Sequence, residues 1–225
     1  MEKVINGYPY IKLTHTPLPQ QDLLKESSLF YSEMDKRRSV REFSDKDIPK
    51  EVIENIIKTA STAPSGAHKQ PWTFCVVSNK ELKKKIRKAA EKEEKESYES
   101  RMSGQWLKDL EPLGTDWQKP FLEVAPYLII IFKKVYDDEK GEKKTNYYVN
   151  ESVGIACGFL ISAIHKAGLV TLTHTPSPMN FLTELLARPK NERPFLLLPV
   201  GFPAAETFVP KIERKKLDEV AVFYE

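Results

Sequence analysis

The stretch RRSVR places Arg37, Arg38 and Arg41 within five positions, with Ser39 among them. Guanidinium groups present planar forks of charged N–H donors and the serine adds a hydroxyl, a donor set that suits a phosphate dianion. A basic cluster of this kind also serves as an ordinary solvated surface, so its meaning depends on the rest of the chain. A second group lies in the charged run KELKKKIRKAAEKEEKESYESRM, where Glu94 and Tyr98 stand four apart and project from the same face of a helix. Glu91, Glu93 and Glu96 offer further acids close by, and Lys119 lies beyond in GTDWQKPF. A free amino acid carries an ammonium and a carboxylate, and a site for one needs an anion and a cation placed apart with a hydroxyl donor between them. In TAPSGAH, Pro64 and Gly66 break a helix, and glycine lets the backbone approach a flat ligand because it has no Cβ to hold it away. THTP, residues 173–176, sets hydroxyls and an imidazole before a proline, which alone reads as a turn.

Composition limits what these groups serve. With 225 residues, 40% of them apolar and 10% aromatic, the chain can bury one sizeable core as a single large domain with an extended arm. The 35 basic and 32 acidic residues nearly cancel, and the excess of +3 is spread along the chain. Nucleic acid and membrane surface are therefore disfavoured as partners, and any anion site must be local. Cys75 and Cys157 are far apart inside apolar runs, which fits buried free thiols in a reducing compartment better than a disulfide framework or a metal site. The amino-terminal stretch lacks the apolar core of a signal peptide, and no apolar run approaches the roughly 18 residues of a membrane span. These features imply a soluble, cytoplasmic protein without a membrane anchor.

The elements that must hold these groups follow from periodicity. Residues 22–36 are loosely helical. Pro49 opens a clearer helix whose buried face is Val52, Ile53, Ile56, Ile57 and Ala60. PWTFCVVS and APYLIIIFKK read as strands, and Asn79 caps the charged helix between them, which runs to Met102. Residues 147–166 are apolar on nearly every face, predicting a helix buried all round, at the centre of the domain or against a partner subunit, with Gly168 ending it. Short strands at 169–173 and 195–201 flank a helix at 179–187. The tail, 202–225, has scattered apolar residues and suits an arm that wraps a second chain. The run of lysine and glutamate from Lys80 to Glu99 reads as a solvated helical face.

Four separated motifs, RRSVREF, TAPSGAHKQPWTF, LVTLTHTPSP and LLLPVGFP, occur in an order that resembles the flavin-dependent nitroreductase family, and within it the deiodinase branch, over nearly the whole chain. The resemblance implies an α+β fold, a mixed central sheet flanked by helices in an interlocked homodimer. It divides the chain into an N-terminal arm and helix at 1–33, an FMN domain at 34–201 and a C-terminal arm at 202–225. FMN is the implied cofactor, its phosphate held by Arg37, Arg38, Ser39 and Arg41 with Arg214 from the arm. Pro64, Ser65 and Gly66 are implied cofactor contacts, as are Thr173, His174 and Thr175, and the Thr175 hydroxyl near flavin N5 is the group that tunes one-electron chemistry. General nitroreductases tend to carry Asn where this chain has His68, a departure toward the deiodinase branch. In that branch the Ala67 N–H meets the substrate's phenolate oxygen, and Glu94, Tyr98 and Lys119 grip its zwitterion. The implied reaction is reductive dehalogenation of a 3-halotyrosine to tyrosine and halide, with an unidentified reductase or NAD(P)H as electron donor. Two other readings stand beside it: a general NADPH- or NADH-dependent nitroreductase or quinone reductase, and a non-catalytic flavin-binding sensor.

Overall fold

The computed structural model describes residues 2–139 and 141–225. The chain divides into two units, Met1–Arg37 and Arg38–Glu225. In the first, β1 (Glu2–Ile5) and β2 (Tyr8–Ile11) form an antiparallel hairpin. Its turn is Asn6-Gly7, both at positive φ, 52° and 83°, the combination a tight hairpin turn requires. The sequence reading had only an arm here. Helix α1 (Gln20–Asp35) follows, and none of its residues is buried within the chain. Leu23, Leu24, Phe30 and Tyr31 are all exposed.

The second unit is built on apolar strands. In order along the chain come α2 (Lys50–Ser61), β3 (Trp72–Val77), α3 (Lys80–Glu96), α4 (Gly104–Leu110), α5 (Phe121–Val124) and β4 (Tyr127–Lys134). There follow β5 (Tyr136–Glu139), β6 (Glu142–Thr145), α6 (Val149–Lys166), β7 (Val170–Thr171), α7 (Asn180–Leu185), β8 (Glu192–Gly201) and α8 (Leu217–Val220). The main sheet has the order β3-β4-β8-β7 with antiparallel neighbours, and β5 and β6 form a separate hairpin. Ser39 adds a parallel bridge to Thr171, so the segment after Arg38 joins the edge of β7.

The run LIIIF in β4 is buried on both sides because helices cover both faces of the sheet. Ile129 and Ile131 pack with α2 and α6, and Leu128, Ile130 and Phe132 pack with α3, α5 and α7. The period of two along a strand separates the two cores. Helix α6 does not lie at the centre of the domain: Val153, Ala156, Cys157, Leu160 and Ile164 are buried, whereas Ile155 and Phe159 are 43% and 40% exposed. Only one face of it packs on this chain; the opposite apolar face is bare. Among the described residues no helix is long and apolar enough to cross a membrane.

Candidate active site

Asn79 caps α3 as its sequence predicts, its side chain accepting from the Leu82 N–H at 2.9 Å. The helix does not continue to Met102. After Glu96 it widens into a π-helical turn, Ser97–Arg101, closed by Met102 N–H donating to the Ser97 carbonyl at 2.9 Å, a local widening common at functional sites. Tyr98 sits in that turn.

The segment bearing Lys119 is stitched onto α3. The buried Lys83 ammonium donates to the carbonyls of Glu123, at 2.9 Å, and Ala125, at 2.7 Å. Arg87 donates to Glu91 at 2.7 Å and to Glu123 at 3.4 Å, and the Lys119 backbone N–H donates to the same Glu91 carboxylate at 2.7 Å. Charged hydrogen bonds of this kind contribute about 1.5 to 3 kcal/mol each, so together they set where Lys119 can point. It points at Glu94: the Lys119 ammonium is 3.5 Å from Glu94 Oε2, the two side chains being 5% and 12% exposed. The ammonium also donates to Thr115 Oγ1 at 3.3 Å and to the Asp116 carbonyl. It lies 5.6 Å from the centre of the Tyr98 ring, whose hydroxyl donates to the Thr115 carbonyl at 3.2 Å.

Glu91 is taken up by Arg87 and the Lys119 backbone N–H, and both Glu93 and Glu96 by Arg101, which leaves Glu94 as the acid of α3 facing the Lys119 ammonium. Burial pushes the Glu94 carboxyl above the usual carboxylate range although Lys119 pulls the other way. Burial likewise lowers Lys119, against the pull of Glu94. The sequence argument asked for the two charges to stand apart, and the structure pairs them. An unpaired charge in so dry a place costs more than the pair.

The arginine cluster is less uniform than its spacing implied. Arg37 ends the N-terminal unit, and Arg38 opens the next. Arg38 and Arg41 are half-buried, Ser39 is exposed, and Arg214 is exposed on the C-terminal arm. Arg41 lies within the field of the acid–lysine group: burial lowers its pKa, Tyr98 opposes that, and its own charge lowers Lys119 and His174.

In PSGAH, Pro64 is exposed and the Ser65 hydroxyl accepts from the Gln70 N–H at 2.9 Å. The Gly66 N–H donates to Ser152 Oγ at 3.3 Å, and a Cβ at Gly66 would lie 2.9 Å from the Tyr147 carbonyl oxygen and 3.1 Å from the Tyr148 ring. Its need for glycine thus arises from Tyr147 and Tyr148, just before α6, a contact that no local motif discloses. Ala67, His68 and Gln70 all hold positive φ, 49°, 55° and 46°, a cluster of left-handed non-glycine residues that costs free energy and concentrates at functional sites.

Along THTP, extended backbone alternates the side chains. Thr173 and Thr175 are exposed on one side, and His174 is 6% exposed on the other. The expected trio of cofactor contacts therefore divides, with the His174 ring turned away from the threonine face. Its Nδ1 is 3.9 Å from Glu94 Oε1, its ring meets Phe121 edge to face at 5.6 Å, and Nε2 is buried without a hydrogen-bond partner among the described residues. Burial first, and then the charges of Lys119 and Arg41, lower this imidazole to about 3. Sequence reasoning weighed Glu91 only as a rival acid and missed its partner Arg87, which was readable as an i,i+4 pair with it. Thr115 and the inward turn of His174 carried no local signal.

A profile of the nitroreductase family matches residues 34–202. The chain is similar to an iodotyrosine deiodinase of Haliscomenobacter hydrossis, 65% identical over 205 residues that cover 91% of this chain and 92% of the relative. It is similar to iodotyrosine deiodinase 1 of Homo sapiens, 48% identical over 215 residues, 95% of this chain and 74% of the relative. Among solved structures it is similar to oxidised iodotyrosine deiodinase bound to FMN and 3-iodo-L-tyrosine, with a TM-score of 0.77 and 34% identity over 87% of this chain and 98% of that one.

Proposed function

The chain belongs to the nitroreductase family, and we propose that within it the protein is an FMN-dependent reductive dehalogenase of 3-halotyrosines. The observation that carries this reading is the dry Glu94 and Lys119 pair, 3.5 Å apart, with Tyr98 beside it, because a general nitroreductase has no use for buried opposite charges matched to an amino acid. The donor set fits the cofactor: half-buried Arg38 and Arg41 with the exposed Ser39 hydroxyl suit a phosphate, and the exposed Thr173 and Thr175 hydroxyls suit the polar edge of a flat ring. Arg37 and Arg214 are assigned to the same phosphate, and Pro64, Ser65 and Gly66 to the cofactor's backbone contacts. Bound FMN supplies the two electrons that, with a proton, replace the carbon–halogen bond by carbon–hydrogen and release halide.

This chain's own residues orient the substrate. Glu94 receives the ammonium, Lys119 the carboxylate, and Tyr98 a hydrogen bond between them. The Ala67 N–H, held in its left-handed turn, donates to the phenolate oxygen. Thr175 presents its hydroxyl to the ring edge of the cofactor and adjusts the ease of electron transfer. The electron donor is NADPH, NADH or a separate reductase.

We also propose a homodimer. The bare face of α6, with Ile155 and Phe159, and the exposed apolar residues of the C-terminal arm, Phe208, Val222 and Phe223, form apolar surface that a solitary chain leaves in water. A second copy covers it, with 202–225 acting as the wrapping arm of a domain at 34–201. Two free thiols, of which Cys157 is buried and raised to about 12, suit a reducing, cytoplasmic compartment.

The test is anaerobic mixing of the reduced, FMN-loaded protein with 3-iodotyrosine. Flavin reoxidation with release of free iodide is expected. Bleached flavin that persists with iodotyrosine but is discharged by nitroarenes would move the protein to the general nitroreductases.

A further inference from the structure

We propose that His174 is a positioning residue of the substrate clamp: with substrate bound, its imidazole donates from Nδ1 to Glu94 and braces that carboxylate against the strand segment that carries Thr173 and Thr175. The inference rests on the halotyrosine reading above and extends it to a side chain that the reading leaves without a task.

Glu94 lies between two groups. One carboxylate oxygen is 3.5 Å from the Lys119 ammonium, and the other is 3.9 Å from His174 Nδ1. The imidazole is held from two other directions. Its backbone exchanges two hydrogen bonds with Leu197 of β8, 2.9 Å and 3.0 Å, and Phe121 meets its ring edge to face, at 89°. It is therefore a fixed post, anchored to a central strand of the sheet, beside a helix whose last turn has been widened. The charged groups that act on it are Glu94 from α3, Lys119 from the segment before α5, and Arg41 from the segment beside β7. Burial, aided by the two cations, keeps it uncharged, so only one ring nitrogen bears hydrogen. A carboxylate facing Nδ1 selects the Nδ1–H tautomer.

That choice leaves Nε2 bare, and Nε2 is indeed buried with no hydrogen-bond partner among the described residues. Folding gives no reason to accept an orphaned polar atom there, since an aliphatic side chain would pack against Phe121 without one. The orphan is explained if Nδ1 is what the site uses. At 3.9 Å the contact is longer than a hydrogen bond. It tightens when a zwitterion takes up Lys119: Glu94 then parts from its internal cation, and the imidazole N–H is the donor that holds the acid toward the substrate ammonium. Because Thr173 and Thr175 flank the same residue on the opposite side, occupation of the clamp bears directly on the segment assigned to the cofactor.

The experiment uses oxidised, FMN-loaded protein and measures dissociation constants for 3-iodotyrosine and 2-iodophenol by quenching of flavin fluorescence. His174→Met removes the donor and keeps the volume, whereas His174→Gln keeps an N–H able to reach Glu94. Met should weaken 3-iodotyrosine about tenfold while 2-iodophenol changes less than about twofold, and Gln should stay within about threefold of the native protein. In a Glu94→Gln background the His174→Met change should add less than about twofold, because its effect passes through Glu94. The native protein gives a reading that needs no variant: the ¹⁵N spectrum should show His174 neutral and protonated at Nδ1, shifting with 3-iodotyrosine and not with 2-iodophenol. An equal loss for both ligands, an undiminished loss in the Glu94→Gln background, or an Nε2–H tautomer would overturn the proposal. Native protein that binds the two ligands equally would overturn the functional reading itself, a result separable from the others because it appears before any variant is made.

Discussion

Replacing Lys119 by methionine removes a charge while keeping an unbranched apolar stem, and the structure sets the size of the effect. At 3.5 Å from Glu94, a unit charge pair in surroundings with an effective dielectric near 20 interacts with about 5 kcal/mol. A substrate carboxylate at the same ammonium has a similar term available to it. Much of that is offset by stripping water from both groups and by parting the internal pair, so the net loss should be about 2 to 3 kcal/mol, or about 30- to 150-fold in the dissociation constant of 3-iodotyrosine. For 2-iodophenol, which has the halogenated ring and neither charge, the change should be under about threefold. Titration of the oxidised, FMN-loaded protein by flavin fluorescence measures both. The ammonium also holds Thr115 Oγ1 and the Asp116 carbonyl, so denaturant unfolding should show a parallel loss of about 1 to 2 kcal/mol. If both ligands weaken equally, Lys119 is a loop staple and not a carboxylate receptor. If neither weakens, the clamp is misassigned.

The pH dependence of 3-iodotyrosine affinity follows from two opposed shifts. Binding needs Glu94 ionised and Lys119 protonated, so affinity should fall as pH drops through a Glu94 pKa lying above the usual carboxylate range. It should fall again as pH rises through a Lys119 pKa lying below the usual lysine range. Calorimetry across pH, with 2-iodophenol as control for the phenol's own ionisation, would expose an acid limb at the ordinary carboxylate position and so contradict this. Gly66→Ala drives a methyl to 2.9 Å from the Tyr147 carbonyl and should cost about 1 to 3 kcal/mol in a denaturant titration; an unchanged midpoint would mean that the start of α6 yields freely. Arg38→Ala combined with Arg214→Ala should strip FMN on dialysis, each change removing about 1.5 to 3 kcal/mol of phosphate binding, and full flavin occupancy would refute the phosphate assignment. Phe159→Glu places a charge on the bare face of α6 and should shift the protein toward monomer in sedimentation, whereas an intact dimer would locate the interface elsewhere.

Much of the fold was legible because it depends on local pattern. The run LIIIF and the β-branched stretch before Asn79 marked β4 and β3, and the spacing of Ile53, Ile56 and Ala60 marked the buried face of α2. Asn79 announced the start of α3 through its own side chain. Asn6-Gly7 announced a hairpin just as locally, and that signal was passed over. Where a sequence pattern looked the same for two different situations, reading it alone did not choose between them. An apolar helix face covered by its own sheet and one left for a second chain are spelled with the same residues, so periodicity left both places open for α6, and this chain buries one side of it. The chemistry divides in the same way. The residue types needed for a phosphate and for a zwitterion were present in order along the chain. Which glutamate of four would face Lys119, and that His174 would stand behind it, was decided by contacts between residues 25 to 80 positions apart in the chain. Periodicity reports the period of one element and nothing of the neighbour it meets. The pairing of charges in a dry interior is set by that neighbour, because the cost of leaving a buried charge alone is paid only once the tertiary structure has removed the water.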